Sequence, residues 1–158
     1  MAQNDLIDTI EQEDTLKGKY LIFAIENELY GIEIRYIIEI IGIQPITAVP
    51  EMPRYVKGVT NLRGKIIPVI DARLRFNKAN KEYDDQTCII VLEADDNSTG
   101  LIVDSVSEVI AIADEDITSP KELNKSSLKY IKGIGKADGK VELLLDCHEI
   151  MGASCSSL

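Results

Sequence analysis

The sequence has no tryptophan, a single histidine and only three cysteines among its 158 residues. Because structural zinc sites use four ligands that are mostly Cys and His, this supply argues against a metal site. Cys88, Cys147 and Cys155 are odd in number and lack close metal-type spacing, so we expect reduced thiols. His148 follows Cys147 directly, whereas catalytic Cys–His pairs are brought together by the fold from distant positions.

Positive charge and long apolar runs are also scarce. There are 17 basic against 27 acidic residues, and the net charge is −10. Nucleic acids and anionic membrane surfaces both bind through Lys and Arg, so this balance argues against either partner. No apolar run approaches the roughly 18 residues that a membrane helix needs, and the N-terminus lacks the pattern of a signal peptide. We therefore expect a cytoplasmic protein that does not insert into a membrane.

Sequence motifs for phosphate binding and catalysis are missing as well. The segment GIGKADGK (Gly133–Lys140) contains three glycines but fits neither glycine-rich phosphate loop. Ile134 stands where the longer pattern requires its first glycine, and Asp138 where the shorter one requires its third. We expect no cofactor and no enzymatic activity.

Isoleucine and valine are abundant instead, with 24 and 9 residues. Side chains branched at Cβ fit a pleated sheet better than a helix. Stretches such as YLIFAI, TCIIVLEA and KVELLLD read as strands between polar turns. The segment IRYIIEIIGI fits a short helix or a strand, and CHEIMG is expected to begin a short helix.

Three polar stretches delimit the folded part of the chain. Residues 1–17 are acidic without sustained periodicity and predict a mobile arm. The segment NKANKEYDDQ (Asn77–Gln86) predicts a linker, and residues 153–158 a short tail. The folded domain is thus expected over 18–152.

An internal repeat is the most informative feature of the sequence. YGIEIRYIIEII (Tyr30–Ile41) aligns with TGLIVDSVSEVI (Thr99–Ile110) at an offset of 69 residues. YVKGVTNLRGKIIPVID (Tyr55–Asp71) aligns with YIKGIGKADGKVELLLD (Tyr130–Asp146) at an offset of 75. An insertion of six residues in the polar loop of the second copy explains the change of offset. We expect two similar subdomains, about 18–80 and 86–150.

Each predicted subdomain contains about five short strands. Five strands that each carry one apolar face bury it most simply by curling into a small barrel. The fold class predicted from the sequence is therefore all-β, with two tandem five-strand barrels and short helices between strands and at the C-terminus.

The repeat also isolates one arginine. Positions at which both copies agree, such as Asp71 and Asp146, are expected to serve the fold. Arg63 instead aligns with Asp138, so the turn that contains it does not require an arginine. Arginine is enriched at the energetic centres of interfaces. Glu39, which lies in an apolar stretch, is a candidate partner for Arg63.

The segment YVKGVTNLRGKIIPVIDARLRF closely resembles the signature of CheW-type chemotaxis coupling proteins, with its Asn-Leu-Arg-Gly turn followed by an apolar strand. LIFAIENELYGIEIRYIIEII and GLIVDSVSEVI are similar to the opening strands of that family's two subdomains. The resemblance covers about residues 18–152.

The resemblance implies two SH3-like barrels and a scaffold without catalytic activity. Such a scaffold couples the cytoplasmic tips of methyl-accepting chemoreceptors to the regulatory domain of the histidine kinase CheA. The receptors, scaffold and kinase form membrane-associated arrays and belong to a two-component signalling system. It also implies ring assembly with homologous domains. The partner-facing positions carried over by motif are Arg63, Glu39, Ile37, Gly58, Gly64, Val109 and Cys88.

Two other classes of function remain open at this point. A small-molecule or phosphate-binding barrel, or an enzyme built on one, would use Arg63, Lys65 and Asp71 together in a concave site. An RNA-binding SH3-like protein is disfavoured by the net charge of −10. An adaptor of the same family could also serve another output, such as twitching motility.

Overall fold

The computed structural model describes residues 16–120 and 130–156, and consists mainly of short strands. Two 3₁₀ turns and two helices separate or follow them. The elements in chain order are β1 (Lys19–Ile25), β2 (Glu28–Glu33), a 3₁₀ turn (Ile34–Tyr36), β3 (Ile37–Gly42), β4 (Val56–Leu62), β5 (Lys65–Asp71), α1 (Ala72–Arg75), β6 (Cys88–Ala94), β7 (Asn97–Val103), β8 (Ser105–Ala111), a 3₁₀ turn (Asp114–Asp116), β9 (Ile117–Thr118), β10 (Ile131–Ala137), β11 (Lys140–Leu145) and α2 (Cys147–Ser156).

The strands form two sheets that curl into SH3-like barrels. The first barrel has the strand order β3-β6-β7-β5-β4, and the second has the order β8-β1-β2-β11-β10-β9. The all-β prediction is confirmed. One strand is added to the five expected in the second barrel, because the two-residue β9 pairs with Ile134 and Gly135 of β10.

The strand order corrects the expectation of contiguous subdomains at about 18–80 and 86–150. The hairpin β1–β2 belongs to the second barrel and the hairpin β6–β7 to the first. Each hairpin is held by a parallel pairing with the last long strand of the other repeat, β2 with β11 and β7 with β5. The repeats have therefore exchanged their first hairpins. A repeat in sequence cannot reveal such an exchange, because equivalent hairpins carry equivalent apolar faces.

The pairing registers follow the sequence repeat residue by residue. The antiparallel pairings of β3 with β6 and of β8 with β1 each contain one register irregularity. It lies beside Ile37 in β3 and beside the equivalent Val106 in β8. Equivalent pairs are Glu39–Val91 and Glu108–Ile22 in these ladders, and Val69–Gly100 and Leu144–Gly31 in the parallel pairings. The offsets of 69 and 75 residues are thus properties of the fold.

Buried apolar residues form three clusters. The largest, here called the central core, includes Leu21, Ile90, Leu101 and Leu145 and takes residues from both sheets and α2. Because it is shared, it joins the two barrels into one packed body. The interior of the first barrel contains Ile67, Val69, Ile89, Val91 and Ile102. The interior of the second contains Tyr20, Ile22, Ile112 and Leu144.

Most of the predicted elements lie where the sequence placed them. The ambiguous segment 34–43 is a single 3₁₀ turn followed by β3, and CHEIMG does begin α2. The linker 77–86 contains no helix or strand. Within the described ranges, none of the helices has the length and apolarity needed to cross a bilayer. The predicted arm lies almost entirely outside the described residues. The predicted tail is corrected, because residues 153–156 continue α2 and only 157–158 lie outside the described residues.

Candidate partner-binding surface

Arg63 lies at the tip of the hairpin between β4 and β5, in an unusual backbone conformation. Its φ is 53° and that of Gly64 is 85°, the combination found in two-residue turns that match the twist of the strands. The side chain of Asn61 stabilises the turn, because its Oδ1 accepts a hydrogen bond from the Gly64 N–H at 2.8 Å. Asp138 adopts a φ of 51° at the equivalent turn. The fold therefore specifies the turn but not the arginine.

Glu39 is the partner of Arg63, as predicted. Arg63 Nη2 donates to Glu39 Oε2 at 2.8 Å. The side chain of Arg63 is 76% exposed, and that of Glu39 is only 19% exposed. Glu39 lies on the edge strand β3, and Arg63 directly follows the other edge strand, β4. The ion pair therefore bridges the two edges of the first sheet at the barrel end where the β4–β5 turn lies.

The irregularity in β3 explains why Glu39 faces inward. Ile37 pairs with Leu92 of the central core, and the register shift then brings Glu39 opposite Val91 of the first-barrel interior. Glu39 Oε1 is buried and has no hydrogen-bond partner among the residues that the structure describes. The exposed guanidinium of Arg63 stabilises this carboxylate, and solvent around the guanidinium keeps the contribution of the pair to stability small.

Gly58 is required by the local backbone packing of the first barrel. It is buried in β4, with a φ of 148°. A Cβ at this position would lie 2.0 Å from the carbonyl oxygen of Thr47, whose backbone exchanges two hydrogen bonds with Val59. The glycine allows this close approach of two backbone segments, so its role is in the fold.

Three other predicted residues border the central core. Ile37 and Cys88 pack against it, and Val109 pairs with Leu21, one of its members. Val109 is 51% exposed, whereas Cys88 is half-buried and burial raises the pKa of its thiol. Since paired residues share one face of a sheet, Val109 lies on the face turned toward the other barrel.

The sequence reasoning missed three exposed apolar residues at the same margin. Ile40 pairs with Ile90 of the central core, and Ile66 alternates along β5 with Ile70, another core residue. Val141 is the equivalent of Ile66 on β11. Their exposed fractions are 43% for Ile40, 60% for Ile66 and 54% for Val141. The repeat could have indicated them, because Ile40 is the equivalent of Val109.

The residues required for a catalytic or phosphate site do not converge. Arg63 and Lys65 lie near the start of β5 and Asp71 at its end, roughly 20 Å away along an extended strand. Lys65 Nζ donates to Ser98 Oγ at 3.2 Å. Asp71 accepts hydrogen bonds from the Arg73 N–H and the Tyr83 hydroxyl. Each group thus has a separate local partner.

Comparisons with known proteins identify relatives over most of the chain. A family model described as CheW-like domain matches residues 19–155. The chain is 35% identical over 141 residues to the chemotaxis protein CheW of Klebsiella aerogenes, covering 89% of this chain and 85% of that protein. It is 33% identical over 136 residues to the protein of the same name from Treponema pallidum, covering 83% and 80%.

A solved structure matches the fold described above. The crystal structure of scaffolding protein TtCheW from Thermoanaerobacter tengcongensis superposes with a TM-score of 0.81 at 34% identity, covering 89% of this chain and 97% of that one. The Arg63–Glu39 ion pair described above lies within the matched region. The family match over residues 19–155 shows that the chain belongs to the CheW-like domain family.

Proposed function

We propose that this protein is a non-enzymatic scaffold that couples methyl-accepting chemoreceptors to the histidine kinase CheA at membrane-associated arrays. The observation that best supports this proposal is the position of Arg63, which is 76% exposed and held by an inward glutamate at the end of the first barrel. Ile66, three residues later and 60% exposed, connects this turn to the apolar margin of the central core. A polar anchor beside an apolar strip is typical of a protein-binding surface.

Regulation by a scaffold requires no chemistry of its own. A protein that contacts receptor and kinase differently in two receptor states shifts the equilibrium of the kinase by that difference in free energy. The relatives named as chemotaxis and scaffolding proteins support this role. The partners we propose are the receptor tips and the regulatory domain of CheA, with ring assembly alongside homologous domains.

A pull-down with a receptor-tip fragment and the CheA regulatory domain tests the proposal. Arg63→Asn keeps a residue that tolerates positive φ but removes the guanidinium. We expect it to weaken receptor binding by about 2 kcal/mol, or roughly 30-fold, with kinase binding unchanged. The matched control is Arg54→Asn, which removes an exposed arginine elsewhere on the same barrel.

Two results would contradict the proposal in different ways. Failure of the wild-type chain to bind either partner would reject the scaffold. Binding of both partners with equal affinity by wild type, Arg63→Asn and Arg54→Asn would retain the scaffold and reject Arg63 as its anchor.

A further inference from the structure

The end of the second barrel carries carboxylates where the first barrel carries an ion pair. By the repeat, Glu108 is the equivalent of Glu39, and Asp138 is the equivalent of Arg63. The backbone conformations match, with φ of 51° at Asp138 and 53° at Arg63. In the first barrel these two positions bond to each other at 2.8 Å. In the second barrel, therefore, acidic side chains occupy both of the equivalent positions, and both are exposed.

A third carboxylate lies beneath them. Glu142 takes the place of Ile67, a residue of the first-barrel interior, and is only 2% exposed. Its Oε2 is buried and has no hydrogen-bond partner within the described part of the chain. An unpartnered buried carboxylate is costly, and the sequence could have avoided that cost with an isoleucine.

Strand alternation places Glu108 and Glu142 on the strand faces that line the second-barrel interior, with Glu142 buried and Glu108 exposed at the rim. Glu142 precedes Leu144 by two residues on β11, and Glu108 precedes Ile110 by two residues on β8. Leu144 and Ile110 belong to the same cluster inside the second barrel. Because residues two apart on a strand share a face, both carboxylates lie at the end of that interior.

The electrostatics agree with this geometry. Burial raises the pKa of Glu142, and the negative charges of Asp138 and Glu108 raise it further, whereas Lys140 opposes them. One lysine thus faces three acidic groups. In the first barrel, by contrast, the single inward carboxylate of Glu39 is paired with Arg63.

We propose that the open end of the second barrel is a docking site for an arginine side chain of a partner protein. The incoming guanidinium would complete in trans the arrangement that Arg63 and Glu39 make within the chain. Guanidinium fits because its planar fork of N–H donors can bond to more than one carboxylate. Among the residues described, no group of three or more acidic, Cys or His side chains is arranged to hold a metal ion.

An NMR titration of the isotope-labelled full chain at low ionic strength tests this site. The probe is the peptide acetyl-Gly-Arg-Gly-amide at millimolar concentration, and its control is the same peptide with neutral citrulline. We expect only the arginine peptide to shift the resonances of Glu108, Asp138 and Glu142. The titration midpoint of the Glu142 carboxyl should also move to lower pH when the arginine peptide is bound, because a nearby cation favours the ionised form.

A rescue variant distinguishes the site from general attraction to an acidic protein. Asp138→Arg should close the second barrel end in cis, as Arg63 does at the same φ, and should abolish the response to the peptide. Asp96→Arg is the matched control, since Asp96 is exposed in another two-residue turn with a φ of 63° and the change in charge is the same. This variant should retain the response.

The proposal is overturned if the arginine peptide leaves these resonances unmoved, or if the citrulline peptide moves them equally. Equal responses in Asp138→Arg and Asp96→Arg would also overturn it. A stronger response to calcium chloride than to the peptide would replace it with a divalent-ion site. None of these outcomes depends on CheA or a receptor, so the proposed scaffold role is tested separately.

Discussion

At the scale of single residues, the backbone of Arg63 shows that an interaction outweighs a local preference. Residues with long side chains rarely adopt positive φ, at a cost of roughly 1–2 kcal/mol, whereas Asn and Asp adopt it more readily. The equivalent turn has Asp138 with nearly the same φ. The exposed ion pair with Glu39 returns only about 0.2–1 kcal/mol. Stability alone therefore does not account for the arginine.

This balance predicts that Arg63→Asn leaves the fold intact. Relief of backbone strain and loss of the ion pair should nearly cancel, so the free energy of unfolding should change by less than about 1 kcal/mol. Urea denaturation measures the change. A loss above about 2 kcal/mol would show that Arg63 is needed for folding, and reduced binding by the variant could not then be assigned to the interface.

Gly58 gives the opposite prediction. Gly58→Ala places a Cβ 2.0 Å from the Thr47 carbonyl oxygen at a φ of 148°, and should destabilise the protein by more than about 2 kcal/mol. Gly42→Ala on β3 is the control, because nothing lies within 4 Å of the Cβ that alanine would add there. Thermal unfolding of the two variants should differ clearly. Equal melting temperatures would remove the close approach as the reason for Gly58.

At the scale of elements, one charged pair ties the short helix α1 to the connection between β7 and β8. Arg73 Nε and Nη2 donate to the two oxygens of Asp104 at 2.8 and 2.6 Å. Asp104 Oδ2 also accepts from the Glu26 N–H at 2.8 Å, in the turn between β1 and β2. Three connections, drawn from both barrels, therefore meet at one carboxylate.

Acid should weaken this junction. Burial raises the pKa of Asp104, but the hydrogen bond and charge of Arg73 and the bond from Glu26 outweigh it, and the pKa is lowered overall. A lowered native pKa stabilises the fold above the unfolded value of about 3.9 and loses that effect as pH falls through the native pKa.

Asp104→Asn should therefore cost about 2 kcal/mol at pH 7 and progressively less below about pH 4. Urea denaturation across this pH range measures it, with exposed Asp85→Asn as the control. A constant difference between wild type and Asp104→Asn at all pH values would contradict the assignment to this carboxylate.

The elements also show what the sequence could and could not predict. Strands, hairpins and the repeat were predictable, because alternation and turn residues are local signals. The partnership of Arg63 with Glu39 was predictable because only one copy carries the arginine. The exchange of hairpins was not, since pairing partners are set by tertiary packing. The structural role of Gly58 was not predictable, because sequence alone does not distinguish a glycine that allows close approach of two backbone segments from one that a partner requires.

At the scale of the whole molecule, Arg75 lies between the two repeats. Its guanidinium carbon is 4.0 Å from the ring centre of Tyr55 and 4.5 Å from that of Tyr130. These tyrosines are equivalent residues of the repeat, one from each barrel. Arg75 is 8% exposed and Nη2 donates to the Glu149 carbonyl oxygen of α2 at 3.3 Å. One cation therefore links both barrels and the C-terminal helix.

Arg75→Met should lower the free energy of unfolding by about 2 kcal/mol, since desolvated contacts between a cation and a ring have about this strength. Arg75→Lys should recover only part of the loss, because an ammonium cannot stack between two rings. Scanning calorimetry should show one transition at a lower temperature for both variants. Stability equal to wild type in Arg75→Met would show that apolar packing alone is sufficient there.

Because the hairpins are exchanged between the barrels, a single cut between the two repeats should give two fragments that complement each other. A cut within residues 77–86 leaves β1–β5 on one piece and β6–β11 on the other, so each piece carries strands of both barrels and completes neither. Neither fragment should fold alone, whereas the two mixed together should restore the native fold. Fused to two other proteins, such fragments would assemble only where those proteins meet, and the recovered fold would report their proximity.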